Sequence, residues 1–338
     1  MSAKIPTLVA DTTVQQVLQQ AGIKLGHRGK VRDTYLLPDP ALLFVVATDR
    51  VSIFDFVLPA VVPHKGALLT ALTVFWLSEV LNDVPHHLVA YGRGIDEYLP
   101  PELRGNAELH KRALVVRKLK MVPIECIVRG YLTGSGLKSY EKNHHVCGIP
   151  LPEGLHDGSR ILPAPIFTPT TKAESGHDEH VPTDEVIQRY GRWTRDRSLA
   201  YYQRLAEVAE SKGLVLADTK FEFGEGGVLA DEVGTPDSSR FWDTDECARD
   251  SEQKKSPPPF DKELVRSWGK QNVLLRCGQD GLVSMPYLDP DNPAHVAFVH
   301  SRTVPDAVLN ETTSRYRTVV QRLTGLTLEE FQKFRLRT

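Results

Sequence analysis

The segment Leu214–Glu232 constrains the fold more than any other part of this sequence of 338 residues. It alternates apolar and charged side chains, turns at Gly224–Gly227 and then returns, which is typical of a β-hairpin. Because successive side chains of a strand point to opposite faces, Asp218, Lys220 and Glu222 are predicted to share one face. The hairpin therefore predicts a row of charges beside strongly apolar strands.

The turn length sets which residues of this hairpin face each other. A four-residue turn predicts Phe223 opposite Val228 and Lys220 opposite Asp231. Glu222 and Asp231 would then share a face, within reach of one hard cation. The alternative is a solvated sheet face on which Lys220 simply pairs with its neighbours. The spacing leaves a metal–phosphate site and a solvated face open.

Composition excludes several classes of protein. With 41% hydrophobic and 25% charged residues the chain has the balance of a globular protein, and its net charge of -2 predicts no nucleic-acid partner. No run reaches the roughly 18 apolar residues of a membrane span, and the start of the chain lacks the pattern of a secretory signal. Its four cysteines form no CxxC pair, which favours reduced structural thiols in a cytoplasmic protein.

Two glycine-containing turns carry cations suited to phosphate. In Arg28–Arg32 three cations surround a glycine, although Val31 stands where a Walker A loop needs Ser or Thr. Arg129–Gly136 follows a predicted strand and precedes a helix, where backbone N–H groups, Arg129 and Ser135 would hold an anion. An exposed basic turn and a tight structural turn are the alternatives.

The loop Phe167–His180 is dense in functional groups. His177 and His180 are three residues apart but form no HExxH motif and have no evident third ligand, which disfavours zinc. A segment that closes over substrates is the functional interpretation, and a polar surface loop is the alternative.

Periodicity and turn signals predict an α+β fold rather than regular βαβ alternation. The predicted strands outside the hairpin are Leu42–Ala47, Ala113–Leu119 and Ile124–Val128. The predicted helices are Thr12–Gln20, Ala67–Val80, Asp196–Lys212 and Pro305–Leu323. Gly148–Thr171 is predicted to be a loop, and Asp243–Pro259 a mobile surface excursion.

Several long motifs, in one order, closely resemble the SAICAR synthase family. They are RGKVRDTY (Arg28–Tyr35), ATDRVSIFD (Ala47–Asp55), HKGALLT (His64–Thr70), KMVPIECIVRGYLTGSG (Lys120–Gly136), PIFTPTTKAESGHDE (Pro165–Glu179), LADTKFEFG (Leu216–Gly224) and DEVGTPDSSRFW (Asp231–Trp242). The resemblance covers about residues 24–270 and resumes at 304–325. Asp243–Pro259 resembles the family only loosely, and Arg276–Thr303 has no counterpart.

The resemblance implies both a fold and an activity. It implies a two-lobed α+β structure, with an N-terminal β-rich lobe (residues 1–120) similar to the small lobe of protein kinases and a larger lobe (121–338). The implied enzyme uses ATP and Mg²⁺ to join L-aspartate to the carboxylate of carboxyaminoimidazole ribonucleotide (CAIR). No nucleic-acid or membrane partner is implied, and the protein is expected to be a cytoplasmic monomer or homodimer.

The resemblance also implies roles for individual residues. Gly29, Lys30 and Arg32 match the phosphate-covering loop, and Lys118, Leu119 and Met121 the adenine-binding segment. Arg129, Gly134, Ser135, Ser239 and Arg240 match the substrate-phosphate site, while Glu125, Asp218 and Lys220 match the CAIR site. Glu222 and Asp231 match the magnesium ligands, with Glu232 as the alternative to Asp231. Lys172, Glu174, His177 and Asp178 match the loop over the reacting centre. Apart from the resemblance, an amine nucleophile must lose a proton, and Asp218 or Asp178 is the expected general base.

Two other classes of protein remain as alternatives. A small-molecule kinase would stop at phosphoryl transfer, and a nucleotide-binding regulatory module would bind ATP without turnover. A requirement for an amine acceptor distinguishes the first from a ligase, and any turnover excludes the second.

Overall fold

The computed structural model describes residues 9–172, 179–276 and 281–338, and for residues 9–13 and 251–252 the backbone only. Its strands are β1 Leu25–Arg28, β2 Arg32–Leu36, β3 Leu42–Ala47, β4 Arg50–Ile53, β5 Phe56–Val61, β6 Leu88–Tyr91, β7 Ala113–Arg117, β8 Ile124–Arg129, β9 His145–Val146, β10 Ile149–Pro150, β11 Ile166–Phe167, β12 Thr170–Thr171, β13 Leu214–Gly224, β14 Val228–Ala230, β15 Ser239–Asp243, β16 Leu274–Arg276 and β17 Leu282–Ser284. Its helices are α1 Val9–Gln20, α2 Lys65–Phe75, α3 Ala107–Arg112, α4 Gly134–Asn143, α5 Thr183–Tyr190, α6 Trp193–Glu210, α7 Thr244–Glu252, α8 Glu263–Asn272, α9 Pro293–His300, α10 Asp306–Thr324 and α11 Leu328–Phe331.

An antiparallel sheet in the order β1-β2-β3-β7-β6 forms the N-terminal part of the described chain. Tyr35, Phe44 and Val115 are register partners, and they pack on one face against Leu18 of helix α1. Side chains alternate along the strands. The residues between them, such as Val45, therefore point to the opposite face and are available to line a cavity.

The second sheet is built around β13. β8 and β14 flank this strand, β11 and β12 pair with β8, and β15 pairs with β13. Phe221 and Phe223 are buried on one face, where Tyr201 and Leu205 of helix α6 pack against the same apolar cluster. The charged side chains of β13 consequently occupy the other face, as the alternation predicts.

The α+β prediction is confirmed, because every strand pair in the described sheets is antiparallel and helices cover them. The predicted boundary between residues 120 and 121 falls between β7 and β8. One large apolar cluster includes Val116 on one side of that boundary and Phe221 on the other. The division into two lobes stays a prediction.

The C-terminal elements build a second apolar cluster on β4 and β5. Residues 276–303, for which the sequence offers no family counterpart, contribute β17 and α9, and Met285 and Val299 are buried here against Ile53. The prediction for Asp243–Pro259 is wrong in part, because nine of its residues, Thr244–Glu252, form α7. None of the helices in the described ranges is long and apolar enough to span a membrane.

Helix α2 is fixed against the segment that follows β14. The indole of Trp76 donates a 2.9 Å hydrogen bond to the carbonyl of Gly234. A Cβ on Gly234 would lie 2.3 Å from the same indole nitrogen, and its φ is +58°. Only glycine permits this approach, which places the residues after β14 close to α2.

Candidate active site

A cleft of about 230 Å³ lies between the two sheets. Its apolar lining residues include Leu43, Val45, Leu69, Leu114, Val116, Leu119, Met121 and Ala230. Charged residues at the cleft are Arg32, Arg112, Arg117, Lys172, Glu222, Asp231 and Glu232. A cleft that combines apolar walls with clustered charges suits a ligand with a flat base and phosphate groups.

The segment predicted to hold adenine contributes to this cleft through two of its three named residues. Leu119 and Met121 line it, and Met121 forms an antiparallel bridge to Gly224 at the end of β13. Lys118 is not among the lining residues, and its backbone N–H donates 2.7 Å to the carbonyl of Ala41.

The β1–β2 turn, predicted to cover phosphate, is held by a residue that sequence reasoning missed. Arg50 is fully buried and donates 2.6 Å to Asp33 and 3.0 Å to the carbonyl of Gly29. Lys30 pairs with Asp55 at 2.5 Å and is absent from the residues that line the cleft. The turn is thus ordered by Arg50, while the predicted phosphate contact of Lys30 would require it to exchange Asp55 for the ligand.

Arg32 reaches the cleft and pairs with the two acids after β14. Its Nη2 lies 2.8 Å from Asp231 and 3.4 Å from Glu232. Burial raises the pKa of Asp231, but Arg32, Lys220 and Lys172 outweigh burial and hold that pKa below its ordinary value. Asp231 is therefore an ionised carboxylate on the wall of the cleft.

Lys220 occupies the centre of a cluster of acids. Its ammonium donates 2.6 Å to Glu125 and 3.1 Å to Glu222. Glu222 also accepts from Lys172, and Glu125 accepts 3.0 Å from the hydroxyl of Thr170. Burial lowers the pKa of Lys220, but Glu222, Glu125 and Asp231 outweigh it, so this pKa is raised and the ammonium stays charged.

The donor set at the cleft fits magnesium bound together with a polyphosphate. Glu222 and Asp231 are buried or half-buried carboxylates that line one cavity, and Mg²⁺ is usually held by one or two carboxylates with substrate phosphates and waters. In the ranges that the structure describes, no group of three or more metal-binding side chains forms a complete cage. The arrangement suits a cation that arrives with its nucleotide.

A second site lies at the N-terminus of α4. Arg129 is almost fully buried and donates 2.6 Å to Asp218, 2.8 Å to the hydroxyl of Ser135 and 3.0 Å to Thr168. Arg240 donates to the same oxygen of Asp218. Two guanidiniums, a hydroxyl and helix N–H groups thus converge, and we name this set (Arg129, Gly134, Ser135, Arg240) the anion pocket.

Gly134, a member of the anion pocket, and Ser239 beside it are the other two residues predicted for the substrate-phosphate site. Gly134 begins α4 with φ +57°, and a Cβ there would lie 2.5 Å from Nη2 of Arg240. Ser239 is buried, with its hydroxyl 2.7 Å from that of Thr219. Gly134 is thus required for the approach of Arg240, whereas Ser239 is occupied by the strand beside it.

Strand β13 connects the cleft to the anion pocket. Asp218 contacts Arg129 of the anion pocket, Glu222 lines the cleft, and Lys220 lies between them on the same face. At about 3.3 Å per residue, four residues of strand separate the two ends by roughly 13 Å. One face of a single strand therefore sets the distance between the two sites.

The hairpin prediction is right about this face and wrong about the register. Phe223 pairs with Leu229 instead of Val228, because the turn has three residues, Glu225–Gly227. Asp231 consequently lies beyond the strand with φ +59°, so it does not face Lys220 as a ladder partner. It still reaches the cleft, because the chain turns there toward Arg32.

Three residues assigned to the loop over the reacting centre, Glu174, His177 and Asp178, lie outside the described residues.

Comparison with known proteins places this site in a family. The family model described as SAICAR synthetase matches residues 25–276. The phosphoribosylaminoimidazole-succinocarboxamide synthase of Saccharopolyspora erythraea is 44% identical over 312 residues, which cover 90% of this chain and 94% of the relative. That of Thermodesulfovibrio yellowstonii is 42% identical over 311 residues, covering 90% of this chain and 96% of the relative.

Solved structures show the same likeness. The SAICAR synthase from Saccharomyces cerevisiae, determined in complex with SAICAR, superimposes with a TM-score of 0.72 at 35% identity, covering 90% of this chain and 96% of that chain. Fold, site and relatives together define a ligase of purine biosynthesis. The chain belongs to the SAICAR synthase family.

Proposed function

We propose that this protein uses ATP to join L-aspartate to the carboxylate of CAIR, giving SAICAR, ADP and phosphate. The observation that carries this proposal is the single face of β13, where Lys220 lies between the anion pocket and the cleft. A ribonucleotide with its phosphate in the pocket would extend its carboxylate toward Lys220. ATP in the cleft would direct its γ-phosphate to the same point.

The cations at this point suit phosphoryl transfer. Charge spreads over the oxygens of a transferring phosphoryl group, and fixed cations stabilise it. Lys172, Lys220 and Arg32 supply that charge, and Glu222 holds the first two in place. Glu222 and Asp231 would hold Mg²⁺, which supplies further charge neutralisation for the phosphates when bound.

The nucleophile is the amine of aspartate, which must lose a proton to attack an acyl phosphate. One oxygen of Asp218 accepts from both Arg129 and Arg240, which favours a role in holding these two guanidiniums. The assignment of the base to Asp218 or to Asp178 stays a prediction. So do the cytoplasmic location and the monomeric or homodimeric state.

The decisive experiment measures ADP release by the purified protein with ATP, Mg²⁺ and CAIR, with and without L-aspartate. We expect ADP release to require aspartate and SAICAR to form in equal amount. ADP release that does not depend on aspartate would instead identify a kinase. Tight ATP binding without turnover would identify a regulatory module.

Gly134→Ala is expected to raise the KM for CAIR by roughly 10- to 100-fold, because the added Cβ collides with Arg240 and removes one phosphate contact. The KM for ATP should not change. Gly154→Ala is the matched control, since Gly154 also has a positive φ, +83°, but nothing lies within 4 Å of its added Cβ. Equal KM values for CAIR in both variants would mean that Arg240 does not bind the substrate.

A further inference from the structure

His180 lies at the rim of the anion pocket, where the proposed function gives it no role. Its Nε2 is 3.4 Å from the hydroxyl of Ser135, the same hydroxyl that accepts 2.8 Å from Arg129. An imidazole and a guanidinium therefore lie beside one hydroxyl. An anion oxygen bound by Ser135 and Arg129 would be within reach of the imidazole.

The position of His180 is fixed by backbone pairing. His180 forms an antiparallel bridge with Thr170, and the next N–H, of Val181, donates 3.0 Å to the carbonyl of Pro169. Thr170 is itself buried and donates to Glu125. The half-buried imidazole is thus held beside the pocket by a pairing that also positions a residue of the reacting centre.

We propose that His180 binds the phosphate group of the imidazole ribonucleotide, as a further residue of the anion pocket. This inference rests on the proposed function and adds a specificity-determining contact to it. Protonated histidine forms a charge-assisted hydrogen bond to phosphate, as do Arg129 and Arg240. The two guanidiniums are already shared with Asp218, so a third donor increases the net positive charge offered to a dianion.

The surroundings of His180 predict how its charge responds to the ligand. Burial, Arg129 and Lys142 lower the pKa of His180. Arg129 and Lys142 are the charged residues that act on it within the described part of the chain. The neutral form is therefore favoured while the pocket holds no anion. A phosphate dianion opposes all three effects, so binding near neutral pH should be accompanied by proton uptake on His180.

The test combines a variant with a change in the ligand. Binding of SAICAR and of its riboside, which lacks the 5′-phosphate, is measured by titration calorimetry for the wild type and for His180→Asn. We expect the variant to bind SAICAR roughly tenfold more weakly, because one hydrogen bond to a charged group is lost. Binding of the riboside should be unchanged. His145→Asn, an exposed histidine just after α4, is the matched control and should bind both ligands as the wild type does.

Titrations in buffers of different ionisation enthalpy add a second measurement. The wild type should take up protons on binding SAICAR at pH 7, and both His180→Asn and His180→Gln should take up fewer. Equal losses of affinity for SAICAR and for the riboside would overturn the phosphate contact. Wild-type affinity and wild-type proton uptake in both variants would overturn it as well. Failure of the wild type to bind SAICAR at all would refute the proposed function itself. The KM for ATP is the folding control, and it should be unchanged in both variants.

Discussion

Glu222→Gln is expected to lower kcat by at least about 100-fold, as is typical when one preorganised charge is removed from a reacting centre. Gln keeps an oxygen that accepts from Lys220, so the fold should remain, but it weakens both the hold on Lys172 and the binding of a hard cation. The variant should therefore need more Mg²⁺, and its affinity for ADP should depend less on Mg²⁺. Both are measured by titrating Mg²⁺ in activity and calorimetry experiments.

Asp231→Asn should also lower kcat and raise the Mg²⁺ requirement, because it too weakens the binding of a hard cation. Asn is chosen because Asp231 has φ +59°, a conformation that Asn tolerates better than most residues. Glu232, 3.4 Å from Arg32, continues to pair with that guanidinium. Glu225→Gln serves as the control, because Glu225 lies in the same hairpin but is exposed and pairs with the exposed Lys120. Wild-type turnover in both Glu222→Gln and Asp231→Asn would exclude them as metal ligands.

Local patterns predicted the parts of the site that depend on local chemistry. Alternation along β13 placed Lys220 and Glu222 on one face, and the glycines after Arg129 correctly indicated a helix N-terminus beside a cation. The register of the hairpin was not determined in this way. Gly226 and Gly227 both adopt positive φ, so the sequence is compatible with turns of three or four residues, and the three-residue turn is formed.

The remaining features depend on contacts between distant parts of the chain. Arg50 pairs with Asp33, and fully buried Lys65 pairs with Asp237 at 2.7 Å across a long separation in sequence. A single sequence does not show which charged residues will pair, so no sequence pattern predicted these buried ion pairs. Helix α7 was missed because its sequence is polar and is followed by three prolines, which together favoured a loop.

Lys220→Met is expected to affect stability and turnover together. Removing the ammonium leaves Glu125 and Glu222 close together without their shared cation, and breaking a buried ion pair in this way costs about 3–5 kcal/mol. Because the Lys220 side chain is 25% exposed, we expect about 2–4 kcal/mol of lost unfolding free energy. Chemical denaturation measures this loss, and kcat should fall roughly 1000-fold, because the proposed function uses this cation to stabilise the transferring phosphoryl group.

A second substitution separates the two effects. In Lys220→Met with Glu125→Gln, one of the two facing carboxylates is neutral, so most of the lost stability should return while turnover stays low. The stability deficit of the single variant should also shrink as the pH falls, because protonation of one of the two facing acids removes their repulsion. Lys120→Met, whose side chain is 80% exposed, should change neither property. Recovery of turnover together with stability in the double variant would mean that Lys220 serves the fold alone, and the proposed transfer site on β13 would then have to be abandoned.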